Sequence, residues 1–319
     1  MERVLSWLNQ PLFEGCPVLI WMAVAAGIAL LAACVLALCW IKRRRKKGKR
    51  REQTVAPPTE NPTTENPTTA KPKPLPELEL YNLQGIGMRE EQQDAFGLSR
   101  MEAMQQQGLL AVLCDGMGGM AEGGRIAAET VSELLSVFPW ESDRDVPGWV
   151  QNRSRQVYRQ FRGRGGTTLV AALLRENRLS FWYAGDSDLF LLRKGELFSL
   201  SWRQEYKNEL VLRALEGKGD ISAAFLDAQA GALAEYIGKD SVSCGYTRKP
   251  LLLQPEDALL LCSDGVSDTL TLKQIRQAME LSPKDCCDAL EREILAAQLP
   301  NQDNYTAIVL KYHGKKRED

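Results

Sequence analysis

The chain has 319 residues, 44% hydrophobic and 25% charged, enough for one large folded domain or two small ones and too apolar for a wholly disordered protein. Net charge is −1, but nine of the ten residues at 42–51 are basic; taking that +9 from the total leaves −10, an acidic remainder with no basic footprint for nucleic acid. The eight cysteines form no CxxC pair and no zinc-ligand spacing, which excludes a zinc module and fits a reducing compartment better than a disulfide framework.

Residues 1–16 are a short tail, expected outside the membrane. Residues 17–41 run for 25 positions without a charge, long enough to cross a bilayer with some tilt. A cleaved signal peptide would have a shorter apolar stretch preceded by its positive charge. Here the basic run 42–51 follows the stretch, which predicts a single-pass transmembrane helix with everything after it on the cytoplasmic face of the cell membrane. The same run can touch anionic lipid, at about 1 kcal/mol per basic residue near the surface. Residues 52–78 are rich in Pro, Thr, Glu and Asn and repeat Glu-Asn-Pro-Thr-Thr in tandem at 60–64 and 65–69. They offer no apolar face, so a disordered linker is expected.

From 79 to 312 the pattern is that of a folded domain, followed by a charged tail at 313–319. Apolar runs of strand length lie at 79–86, 109–114, 168–174, 179–184, 188–192, 195–199, 258–262 and 305–311. Helix-like stretches lie at 122–138, 147–162, 204–216, 221–236, 271–280 and 284–297. Runs of strands with helices grouped between them predict an α+β fold with mostly antiparallel sheets.

Several strand-like runs end in an acid. Asp115 and Gly116 close the run at 109–114; Asp186 follows 179–184, Asp264 follows 258–262, and Asp303 precedes 305–311. Any one of these reads plainly as an Asp turn. Acids from distant parts of a chain that converge repel one another unless a cation joins them. Carboxylates and a glycine carbonyl are the hard oxygen donors that suit Mg²⁺ or Mn²⁺.

Six short motifs occur in order: Arg89 to Asp94, Asp115 to Gly119, Gly166-Thr167-Thr168, Gly185-Asp186-Ser187, Ser263-Asp264-Gly265 and Asp303-Asn304. Together they resemble the PPM-type, or protein phosphatase 2C, family of metal-dependent phosphatases, over roughly residues 79–312. The resemblance implies an α/β/β/α sandwich of two antiparallel sheets flanked by helices, with a flap at about 201–250 beside the site. It implies hydrolysis of phosphoserine and phosphothreonine in proteins, with targets of a serine/threonine kinase as partners. It also implies two divalent cations, Mn²⁺ or Mg²⁺, that activate a water as nucleophile. On this resemblance Asp115 bridges the metals, the Gly116 carbonyl binds one, and Asp264 and Asp303 complete the other. Asp94 holds a metal-associated water, Arg89 clamps the substrate phosphate, and Asp186 and Asp268 take a third, weaker metal. Asp268 reads equally well as the N-cap of the helix at 271–280.

The chain departs from the family pattern in places. Gln93 stands where a glutamate ligand is common, Asp188 replaces the usual arginine after Gly-Asp-Ser, and Met117 stands where animal members often carry histidine, which gives the sequence a bacterial cast. The sole histidine, His313, lies at the C-terminal end. Two readings besides an active protein phosphatase stay open: a catalytically weak or dead scaffold at the membrane, favoured by Gln93 and Asp188, and a phosphatase for small phosphate esters. Asp115, Asp264 and Asp303 together favour activity.

Overall fold

The computed structural model describes residues 11–13, 16–17, 76–117 and 122–315. The chain divides into two units, Met1–Ala70 and Lys71–Asp319. In the first, β1 (Pro11–Phe13) pairs antiparallel with β2 (Cys16–Pro17). Apart from Pro17 and the last three linker positions, the expected membrane span, basic run and linker lie outside the described residues, as do 316–319. Among the described residues, no helix is long and apolar enough to cross a membrane.

In the second unit, side-chain alternation along the strands sets the layers. Its strands are β3 (Pro76–Gly85), β4 (Asp94–Leu98), β5 (Leu109–Asp115), β6 (Leu169–Arg175), β7 (Arg178–Ala184), β8 (Asp188–Arg193), β9 (Glu196–Ser199), β10 (Gly245–Tyr246), β11 (Leu251–Leu252), β12 (Asp257–Cys262) and β13 (Tyr305–Lys315). Its helices are α1 (Met104–Gln107), α2 (Gly123–Ser136), α3 (Val146–Phe161), α4 (Tyr206–Leu215), α5 (Ala223–Leu226), α6 (Asp264–Ser267), α7 (Leu272–Met279) and α8 (Pro283–Ala297). One sheet runs β10-β7-β6-β5-β4 with β11 also on β7; the other runs β3-β13-β12-β8-β9. All pairings are antiparallel.

Successive residues of a strand face opposite sides. On β5, Leu109, Ala111 and Leu113 meet Leu259, Leu261, Ile308 and Leu310 of the other sheet. Leu110, Val112 and Cys114 point the other way, onto Ile126 and Leu134 of α2 and Val150 of α3. On the far side, Leu260 and Val309 pack on Ile275 of α7 and Leu290 of α8. The result is the expected four-layer α/β/β/α sandwich. Strands buried on both faces read as the continuous apolar runs seen in the sequence.

Three features differ from expectation. Strand β4 was hidden because it is short and contains Gly97; a Cβ there would stand 2.6 Å from Leu135 Cδ1, so the glycine lets α2 close on the sheet. The helix expected over 221–236 exists only as α5. Beyond it the backbone bonds elsewhere: Ala230 and Ala232 carbonyls accept from Lys207 and Tyr206, and Ile237 pairs with Thr167. Tertiary hydrogen bonds outweigh the helix propensity of an alanine-rich stretch. Finally, α7 is capped by Thr271 through a capping box with Gln274, while Asp268 follows α6 and caps nothing at 271. At the ends, β3 and β13 pair as far as Pro76 and Lys315, slightly beyond 79 and 312.

Candidate active site

Asp94 opens β4 and is the direct cross-strand partner of Asp115, which closes β5. Asp186 follows β7, Asp264 follows β12 and Asp303 precedes β13. Antiparallel neighbours reverse direction, so these strand ends gather at one edge of the sandwich. A cleft of about 250 Å³ lies there, lined by Arg89, Asp115, Gly116, Asp186, Asp264 and Asp303, with Met117, Thr168 and Leu233. A hollow of about 290 Å³ shares Arg89, Asp264 and Asp303 and reaches Asp268.

The small residues of the motifs are needed for close approach. A Cβ on Gly116 would stand 2.5 Å from the Gly123 carbonyl oxygen and 2.7 Å from that of Gln93; one on Gly265 would stand 1.9 Å from the Asn304 carbonyl oxygen. The hydroxyls and amides hold the acids in place. Ser263 Oγ donates to Asp94 Oδ2 (2.7 Å) and accepts from the Thr306 N–H (3.0 Å). Thr168 Oγ1 accepts from the Asp115 N–H (2.9 Å), and Thr167 Oγ1 donates to the Asp115 carbonyl (2.7 Å). Asn304 joins two distant segments: its Oδ1 accepts from the Gln93 N–H (2.8 Å) and its Nδ2 donates to the Ile86 carbonyl (2.8 Å).

The charges in this cluster oppose one another. Burial first, then Asp264 and Asp303, lift the Asp94 carboxyl to about 6 against the lowering hydrogen bond from Ser263. Burial, then Asp94 and Asp264, push Asp115 well above the ordinary carboxylate range. Burial and Asp264 raise Asp186 to about 7; burial, Asp268 and Asp303 raise Asp264 to about 6. Asp94 Oδ1 and Asp264 Oδ1 are buried with no hydrogen-bond partner. Hard oxygen donors, orphaned oxygens and mutually repelling buried acids fit divalent cations. Among the described residues, no three His, Cys, Asp or Glu side chains are already gathered as a metal-holding group. Asp115 is within hydrogen-bonding reach of Asp264, and Asp303 Oδ2 accepts from Arg89 Nη2 at 2.6 Å.

The remaining expected residues fall out as follows. Gln93 meets the site through its backbone, its carbonyl accepting from the Gly116 N–H (3.1 Å); its side chain is not among those lining the cleft. Asp94 stands behind Asp115, on Ser263. Asp268 lines the neighbouring hollow and turns Oδ1 to Arg203 Nη1 at 2.5 Å. Arg203 had no motif to mark it. The signal was indirect: Asp188, at the position where an arginine is usual, is an acid at the head of an apolar strand and needs a cation from elsewhere.

A model of the protein phosphatase 2C family matches residues 86–302. The serine/threonine protein phosphatase PstP of Mycobacterium tuberculosis is 30% identical over 219 residues, 63% of this chain and 40% of the relative, so the chain spans less than half of that protein. A crystal structure of a bacterial serine phosphatase superimposes with a TM-score of 0.63 at 25% identity, covering 76% of this chain and 100% of that one. The Streptococcus agalactiae (S. agalactiae) serine/threonine phosphatase gives 0.62 at 25% identity, covering 73% and 99%.

Proposed function

The chain belongs to the protein phosphatase 2C family, its domain is that of a protein serine/threonine phosphatase, and from that premise we propose that it hydrolyses phosphoserine and phosphothreonine in proteins with the help of two divalent cations. The observation that carries the metal dependence is the edge where Asp115, Asp264 and Asp303 meet around one cleft with a partnerless buried carboxylate oxygen. Asp115, Asp264, Asp303 and the Gly116 carbonyl would hold the cations, with Asp94 aligned behind them by Ser263. The cations, when bound, supply positive charge that activates a water and neutralises the phosphoryl oxygens.

The chain's own groups do the rest. Arg89 stands at the cleft with its side chain 47% exposed and paired to an Asp303 that is 40% exposed. An exposed pair of this kind is worth on the order of 0–1 kcal/mol, so its separation costs little and frees a guanidinium fork for a phosphate. Among the described residues lining the cleft there is no histidine; His313 is on β13, bonded to Glu256. The exposed apolar side chains of Trp202, Phe225 and Leu226, on the segment that also carries Leu233 into the cleft, favour a protein over a small ester as substrate. The scaffold reading loses its support from Asp188, because that acid is paired with Arg203 and is not a stray charge in the core.

Tethering to the cytoplasmic face of a membrane is part of this reading and rests on the sequence of residues 17–51. The test of the activity is release of phosphate from a phosphothreonine peptide by the full chain in detergent. Turnover with Mn²⁺ that vanishes in chelator and in Asp115→Ala is expected; full turnover in either would refute the cation-dependent reading.

A further inference from the structure

Arg203 is the most heavily committed charged side chain near the cleft. Its Nε and Nη2 donate to Asp188 Oδ2 (3.0 and 2.8 Å), its Nη1 to Asp268 Oδ1 (2.5 Å) and its Nη2 to Ser267 Oγ (2.7 Å). Glu205 Oε1 lies 3.6 Å from Nη1. The two aspartates hold it differently. Asp188, at the head of β8 beside Cys262 of β12, has only 6% of its side chain exposed; Asp268 has 60%. Without Arg203, Asp188 would be a buried, unpaired carboxylate. The guanidinium is thus fixed from the sandwich side, and Asp268 is the partner that comes to it.

We propose that Arg203 is the resident cation of the third metal position, so that it occupies Asp268 from within the chain and limits the centre to two divalent ions. This rests on the reading of the cleft as a two-cation centre. A divalent ion on Asp268 would share one carboxylate with Arg203, which holds Oδ1, and would stand within a few ångströms of a like charge that cannot leave without stranding Asp188. The Arg89–Asp303 pair has no such anchor, being exposed on both sides, so Asp303 stays available where Asp268 does not. Arg203 also sits at the root of the segment over the cleft. The next residue, Gln204, accepts from the Gly185 N–H through Oε1 (2.9 Å), donates its own N–H to the Gly185 carbonyl (2.9 Å), and its carbonyl accepts from the Ala234 N–H (2.8 Å). The residue before Asp186, the root of the flap and Asp268 are therefore joined by the chain's own hydrogen bonds, a task a bound ion need not perform.

The test counts metal rather than turnover. The full chain in detergent is dialysed to equilibrium against Mn²⁺ at millimolar excess, and bound manganese per chain is measured for wild type, Asp268→Asn and the neutral pair Asp188→Asn with Arg203→Met. Two ions are expected in wild type and in Asp268→Asn, and three in the double variant. The same samples are digested with trypsin: cleavage after Arg213 in the flap is expected to be slow in metal-free wild type, faster in the metal-free double variant, and slowed again there by Mn²⁺. A third ion in wild type that Asp268→Asn removes overturns the proposal, and because Asp268 is mostly exposed that comparison does not depend on the double variant folding. A double variant that folds and still binds two ions also overturns it. No bound manganese in any form instead refutes the two-cation reading beneath it.

Discussion

Replacing Asp264 by asparagine is expected to stabilise the metal-free chain while abolishing its turnover. The carboxyl has a buried oxygen without a partner, and burial, then Asp268 and Asp303, raise its pKa from 3.8 to about 6. A carboxyl that binds its proton more tightly in the fold than in the unfolded chain penalises folding as pH rises through that interval. The penalty is absent below about pH 4 and fully present at pH 8. A step of this size corresponds to roughly 3 kcal/mol, and because Asp115 shares the same field, on the order of 1–3 kcal/mol belongs to Asp264 itself. For a domain of this size 1 kcal/mol moves Tm by roughly 2–4 °C, so Asp264→Asn should melt roughly 2–12 °C above wild type in chelator at pH 8, and the gap should shrink at pH 5. Saturating Mn²⁺ should reverse the order. A cation at a hundred times its Kd adds about 2.7 kcal/mol to the state that binds it, and the variant has lost a ligand. The assay is thermal unfolding followed by circular dichroism, with chelator and with Mn²⁺, at both pH values. A variant that melts below wild type in chelator at pH 8 would show that the Asp264 charge is already satisfied without a cation, and the acid cluster would lose its meaning as a cation site.

The Gln93 side chain does not line the cleft, so Gln93→Glu is expected to leave the Mn²⁺ concentration for half-maximal activity close to wild type; a clearly lower requirement in a metal titration would bring that side chain to the cations. Gly265→Ala forces a Cβ to 1.9 Å from the Asn304 carbonyl oxygen, on a residue already tied to Gln93 and Ile86, so a loss of roughly 1–3 kcal/mol or more in denaturant unfolding is expected, and a wild-type midpoint would refute that contact. Protease added to intact cells is expected to spare the phosphatase domain and to reach it only after lysis; digestion without lysis would reverse the orientation read from residues 42–51.

The sequence alone determined the strands that are apolar on both faces and the acids at their ends. Leu109 to Cys114 and Leu259 to Cys262 could be read because a strand buried between a sheet and a helix layer must be apolar at every position, and a charge can follow only where the strand leaves the core. The order of the short motifs then carried the architecture and the cleft. Only the tertiary structure decided what local pattern does not encode. Strand β4 exists because Asp94–Leu98 finds a neighbour in β5, although its own residues are weak strand formers with a glycine among them. Residues 227–236 leave the helix their alanines favour because Gln204, Tyr206 and Lys207 hold their backbone. The partners of Asp188 and Asp268 were likewise invisible: Arg203 is 15 residues from one and 65 from the other, and an ion pair between such positions is fixed by the distance between folded segments, which no spacing along the chain records.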